Sequence, residues 1–166
     1  LKVFCLRGTL IYDIIFYGNY INNGDVSPYR ANIWDKVKKY SKINKIVYKE
    51  YDGNLTNDIK DEILAQTKIV LHIPSYPNLK HFPWQKTMEL ICKKIFVIIE
   101  ECEDMYKSDL DKFITFYKPG DIDDLNKKIS YYLDNPKERK DITDKLFDII
   151  KDSYNLKDEL KRMINL

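Results

Sequence analysis

Tyr117-Lys118-Pro119-Gly120-Asp121-Ile122-Asp123-Asp124-Leu125 runs into Lys127-Lys128-Ile129-Ser130-Tyr131-Tyr132-Leu133-Asp134-Asn135-Pro136-Lys137-Glu138-Arg139. The stretch reads as a strand end, a Pro-Gly turn, an Asp cap, an amphipathic helix, a Pro-marked stop and a second helix. Proline presets the turn backbone and glycine completes it. An Asp at the cap accepts from an unpaired N–H of the first helical turn. This is the closing unit of an α/β domain.

The rest of the chain repeats the same alternation. Residues 113–117 read as a strand, and residues 95–99 are the most apolar run, a central strand. Residues 84–93 read as a helix behind a loop broken by Pro74, Pro77 and Pro83. Residues 68–73 form a nearly continuous apolar run, as a strand covered on both faces requires. Residues 54–66 read as a short helix with Ile59, Ile63 and Leu64 inward, and residues 46–48 as a short strand. Ser27-Pro28 opens a helix, with Ser as cap and Pro at the first helical position. Ile33, Trp34, Val37 and Tyr40 then recur at helical spacing. Residues 11–17 are a buried strand ending at Gly18-Asn19. Residues 20–27 lack periodicity, and residues 104–111 are a connector. Helices are predicted over 122–133, 137–152 and 157–164, and residues 1–10 as a linker or an extra strand.

Alternating strands and helices predict an α/β fold: a Rossmann-like parallel sheet of about five strands, helices on both faces and a helical C-terminus. One domain over residues 1–166 is the expectation from length. Apolar residues are 44% and charged residues 33%, which excludes a disordered chain. A net charge of +2 gives no strong pull toward nucleic acid or an anionic membrane. Arg7, Arg30, Arg139 and Arg162 are the only arginines, so bidentate phosphate readers are few. The abundance of Lys, Ile, Asn and Tyr reads as the mark of an AT-rich genome. Cys5, Cys92 and Cys102 show no metal-binding or disulfide pattern, which fits a reduced, cytoplasmic chain. No apolar run approaches the roughly 18 residues of a membrane span, and no signal pattern opens the chain. The first residue is Leu, as expected of a piece of a longer polypeptide.

In an open parallel sheet, ligands gather at the C-terminal strand ends, near the reversal of strand order. Gly18-Asn19, residues 74–81, Glu100-Glu101 and residues 119–121 all lie at such ends. Gly18 either lets backbone approach a ligand or makes a turn. The helix opening at Ser27-Pro28, with Arg30 in its first turn, is either a diphosphate site or a solvated helix end. Lys86 and Glu89 share a helix face, as a surface ion pair or as a site whose carboxylate accepts from a ribose diol. His72, inside a strand, reads as packed or hydrogen-bonded; His81, in the loop, is placed to meet a sugar or phosphate. Tyr76, Phe82 and Trp84 either stack on a ring or anchor their loop. Glu100, Glu101, Glu103 and Asp104 read as a solvated acidic loop, with none of the spacing of a calcium loop. A receiver-like signalling domain needs an acidic pair after the first strand and an aspartate after the third. Tyr17-Gly18-Asn19 and His72-Ile73-Pro74 supply neither.

Residues 13–154 together resemble the C-terminal, donor-binding half of a GT-B glycosyltransferase of the group 1 type. Asp13-Ile14-Ile15-Phe16-Tyr17-Gly18-Asn19 is similar to that family's opening strand and glycine loop. Thr67-Lys68-Ile69-Val70-Leu71-His72-Ile73-Pro74 is similar to the strand before its sugar-binding loop. Met88-Glu89-Leu90-Ile91-Cys92-Lys93-Lys94-Ile95-Phe96-Val97-Ile98 is similar to its helix and following strand, and the Pro-Gly-Asp tail completes the order. The resemblance implies a nucleoside-diphosphate sugar as substrate, no metal or other cofactor, and a missing N-terminal half that binds the acceptor. It places Glu89 on the ribose. His81 falls where the family has a first glutamate, Lys94 where it has a glycine, and Lys86 where relatives carry Arg. Gly18, Asn19 and Arg30 would neighbour the diphosphate, and Glu100 would stand near the donor. No catalytic residue is implied within this chain. A module that kept the fold and lost the site is the alternative.

Overall fold

The computed structural model describes residues 9–18, 21–22, 25–51, 56–105 and 109–153. Its strands are β1 (Tyr12–Tyr17), β2 (Ile21–Asn22), β3 (Asp25–Val26), β4 (Tyr48–Tyr51), β5 (Thr67–His72), β6 (Val97–Glu100) and β7 (Thr115–Tyr117). Its helices are α1 (Pro28–Ile43), α2 (Asn57–Ala65), α3 (Trp84–Cys92), α4 (Ile122–Asp134) and α5 (Pro136–Ser153). Five strands form one parallel sheet in the order β4-β1-β5-β6-β7, and β2 and β3 pair as a separate antiparallel ribbon. The order reverses between β1 and β5, so connections leave that point toward opposite edges.

Two-residue periodicity sorts the core into two layers. Ile14, Phe16, Ile69, Leu71, Ile98 and Tyr117 face Ile33, Trp34 and Val37 of α1 and Leu125 and Ile129 of α4. Ile15, Val70, Val97, Ile99 and Phe116 face Leu64 of α2, Leu90 and Ile91 of α3, and Leu146 and Ile150 of α5. Helices thus cover both faces, which is why the central strands read as unbroken apolar runs.

The predicted caps form. The Ser27 side chain accepts from the Arg30 amide at 3.4 Å and donates to the Ser75 carbonyl at 2.5 Å, which ties the start of α1 to the loop after β5. Asp121 accepts from the Asp124 amide at 2.9 Å, and Gly120 holds φ +68° in the turn before it. α2 is shorter than the predicted 54–66, and the predicted helix over 157–164 lies outside the described residues, as do residues 1–8. The edge strand was predicted over 46–48 and is found at Tyr48–Tyr51. Lys45 takes φ +56°, and the Ile46 amide bonds back to the Ser41 carbonyl, so residue 46 still belongs to the helix exit. An edge strand buries less and tolerates the polar Tyr-Lys-Glu-Tyr sequence that periodicity passed over. Residues 20–27, predicted without structure, contain the β2-β3 ribbon. Among the described residues no helix is long and apolar enough to cross a membrane.

Candidate functional site at the reversal of strand order

The C-terminal ends of β1 and β5 bring together Gly18, Arg30, Lys86 and His72. Gly18 sits just past β1 at φ +151°, a backbone that side chains rarely adopt. A Cβ there would lie 3.7 Å from the Phe16 ring and 3.8 Å from Arg30 Nη1, so space would allow a side chain and the dihedral disfavours it. Arg30, in the first turn of α1, donates from Nε to the Ile73 carbonyl at 2.9 Å, and its guanidinium stands 5.8 Å from the Phe16 ring centre. Lys86, in the first turn of α3, reaches back over the Tyr17 ring at 3.8 Å from its centre and donates to the Tyr17 carbonyl at 2.6 Å. It also lies 6.0 Å from the Phe16 ring centre. One phenylalanine therefore carries two cations.

Electrostatics at this point favours an added negative charge. Burial, then the neighbouring Arg30 and Lys60, push the Lys86 ammonium down to about 7, against an upward pull from Glu89. Burial, then Lys86 and Arg30, push the His72 imidazole down to about 3, so His72 is neutral near pH 7. The His72 Nδ1 and the Tyr17 hydroxyl are buried and find no hydrogen-bond partner among the described residues. Among those residues no carboxylate lies within ion-pair distance of Lys86. The first turn of α1 adds the positive end of its helix dipole.

Glu89 lies one turn beyond Lys86 and turns toward α2. Its Oε1 accepts from Lys60 at 2.6 Å and from Lys93 at 2.7 Å, and Lys93 also pairs with Asp61 at 2.5 Å. Burial alone would raise the Glu89 carboxyl, but the two lysines outweigh it and hold it below its ordinary value. Lys86 and Glu89 therefore do not form the surface pair that their spacing allows. The Glu89 side chain keeps 29% of its surface exposed, and burial, then the Glu89 charge, raise the Tyr17 phenol.

The other predicted residues lie elsewhere or beyond description. Asn19 lies outside the described residues. His81 is 88% exposed beside Asp104, with Nδ1 3.4 Å from Oδ2, and does not join the cluster. Asp104 in turn accepts from the Phe82 amide at 2.6 Å, so this acid anchors the loop. Phe82 is core and stacks edge-on to Trp84, while Tyr76 stays exposed. Glu100 is 3% exposed and turned to Tyr29 and Gly120 rather than to Arg30 and Lys86. The acidic run from Glu100 to Asp104 does not converge: among the described residues no group of three His, Cys, Asp or Glu is arranged to hold a metal. His72 was read from sequence as a packed residue. Only the strand order shows that it ends the strand beside the reversal.

The fold is a doubly wound, Rossmann-like α/β domain with Arg30 and Lys86 brought together at the switch point. The chain belongs to the glycosyl transferase-like family, whose match covers residues 13–165. Among solved structures it is similar to the one titled "Crystal Structure of TarM", with a TM-score of 0.62 and 14% identity. That likeness covers 96% of this chain and 36% of the other, so this chain spans about a third of that protein's length. At that identity the likeness is one of fold. No curated protein matches the sequence. The resemblance to the C-terminal domain of group 1 GT-B glycosyltransferases holds for family and for fold.

Proposed function

We propose that this domain binds a nucleoside-diphosphate sugar and serves glycosyl transfer to an acceptor hydroxyl, together with an acceptor-binding half outside this chain. The observation that carries the reading is the pair Arg30 and Lys86 against Phe16, at the strand-order reversal and beside Gly18. Two cations brought close in a half-buried crevice repel each other, and a diphosphate there removes the repulsion. During transfer, negative charge grows on the leaving diphosphate. Arg30, Lys86 and the first turn of α1 would stabilise it, the kind of fixed electrostatic help that lowers such barriers. Glu89, with Oε1 held by two lysines, would accept from a ribose diol through its other oxygen.

Calorimetric titration with uridine and guanosine diphosphate sugars tests the reading. Binding should raise the melting temperature with ligand concentration as mass action requires. Glu89→Ala should weaken binding about tenfold or more while costing under ~1 kcal/mol of stability, since its ion pairs are partly exposed. Millimolar donor with no heat and no melting shift would overturn the reading. The exposed His81, standing where the family has a glutamate, favours the second reading, a glycosyltransferase-like module without turnover. That module gives no glycosyl transfer even when the missing half is supplied.

A further inference from the structure

Glu100 ends β6 as the most buried carboxylate among the described residues, and its surroundings are specific. The Tyr29 hydroxyl lies 2.8 Å from both Oε1 and Oε2, and the Gly120 amide donates to Oε2 at 3.4 Å. Burial, then the charge of this carboxylate, raise the neighbouring Tyr117 phenol. Burial pushes Glu100 itself upward, and these neighbours oppose that push. A Cβ on Gly120 would come within 3.6 Å of the Tyr29 hydroxyl, so the Pro-Gly turn packs directly on this contact.

Tyr29 is the residue before Arg30. The first turn of α1 is thereby fastened on two sides. Ser27 and Arg30 bind the carbonyls of Ser75 and Ile73 after β5, and Tyr29 binds Glu100 at the end of β6. We propose that Glu100 is a positioning residue: it acts through Tyr29 to fix the first turn of α1, and with it the Arg30 guanidinium, against the crevice. It thus serves the diphosphate site from behind and makes no contact with the donor, which extends, and rests on, the nucleotide-sugar reading above.

The test uses the full chain, uridine and guanosine diphosphate as probes, and four variants. Tyr29→Phe removes one oxygen and should weaken diphosphate binding about tenfold, the usual worth of a hydrogen bond to a charged group. Glu100→Gln keeps an acceptor for Tyr29 and should stay within about threefold of the parent, whereas Glu100→Leu should match Tyr29→Phe. Adding Tyr29→Phe to Arg30→Met should cost nothing further, because Tyr29 acts through Arg30. A ligand-free reading accompanies these: exchange of the Arg30 Nε proton, slowed by its bond to Ile73, should quicken in Tyr29→Phe. If the parent binds neither diphosphate, the nucleotide-sugar reading fails, and the Nε exchange alone decides the latch. Unchanged affinity and unchanged Nε exchange in Tyr29→Phe would overturn the proposal, as would additive losses in the double variant. A fall in melting temperature with neither reading moved would show a purely structural contact and would overturn it too.

Discussion

Lys86 concentrates the conflict between stability and binding in one side chain. Its folded-state value of about 7 lies below the ordinary lysine value of 10.5, so between those values the unfolded chain binds more protons than the folded one. Stability from this group therefore rises with pH from about 7 to 10.5, and its penalty is complete below 7. Lys86→Met should be more stable than the parent at pH 7, with the gain gone by about pH 10.5, while diphosphate binding weakens. Chemical denaturation at three pH values checks the first half and calorimetry the second. Donor binding to the parent at pH 8 should take up a proton, seen as a heat that varies with the buffer's ionisation enthalpy. His72 acts with the same sign in a lower pH window. Its value of about 3 lies below the ordinary 6.5, so it costs stability progressively as pH falls from 6.5 to 3. His72→Asn should flatten that part of the acid-denaturation curve. Residue types left Arg30, Lys86 and Glu89 open to a solvated or ion-paired reading, and the resemblance placed them at the donor. Residue types could not separate His72 from a packing residue, since its environment is made by α1 and α3.

The junction between α3 and β6 holds a side chain in a backbone conformation that favours glycine. Lys94, where the resemblance leads one to expect glycine, takes φ +55°, in the left-handed region. That conformation costs a side-chain-bearing residue roughly 1–2 kcal/mol. Lys94 recovers part of it through an ion pair with Asp144 at 2.7 Å and a position 4.6 Å over the Phe147 ring, both on α5. Lys94→Gly should therefore change stability by less than ~1 kcal/mol, because relief of strain and loss of contacts offset. Lys94→Val, β-branched and without the contacts, should lose about 2 kcal/mol or more. Urea denaturation of the two variants checks the pair. At α1, Trp34 is fully buried between Phe16 and Tyr48 and hydrogen-bonded to Glu50. Trp34→Ala should cost about 3–5 kcal/mol in the same assay. Helices α1, α3, α4 and α5 were read closely from periodicity and caps. The edge strand was misplaced because Ile46-Val47-Tyr48 is more apolar than Tyr48–Tyr51, and burial at an edge is too small to impose a pattern.

The sheet order makes a prediction about the whole molecule. β1, β5 and β6 are paired on both sides, and β4 and β7 on one. Amides of Ile14–Phe16, 69–71 and 98–99 should exchange slowest with solvent, with protection near the global unfolding free energy, and those of β4 fastest among the strands. Mass-resolved hydrogen exchange distinguishes this from uniform protection. The same order puts β1 and β5 side by side at the reversal. The loop glycine after the first strand, the first turn of α1 and the first turn of α3 then meet around Phe16 and Tyr17, although Gly18 and Lys86 are 68 positions apart in sequence.

The family came from the resemblance of its motifs; periodicity, caps and turn residues by themselves determined the α/β class, the five-strand parallel sheet and most of the helices. Those features follow from interactions among residues a few positions apart: an apolar face, an N-cap, a proline that cannot continue a helix. Tertiary structure alone decided that Lys86 turns back over Tyr17, that Glu89 turns to Lys60, and that Glu100 closes onto Tyr29 and Gly120. The physical reason is burial. A side chain's charge, partner and direction depend on which distant segments exclude water around it, and no local pattern in the chain encodes that.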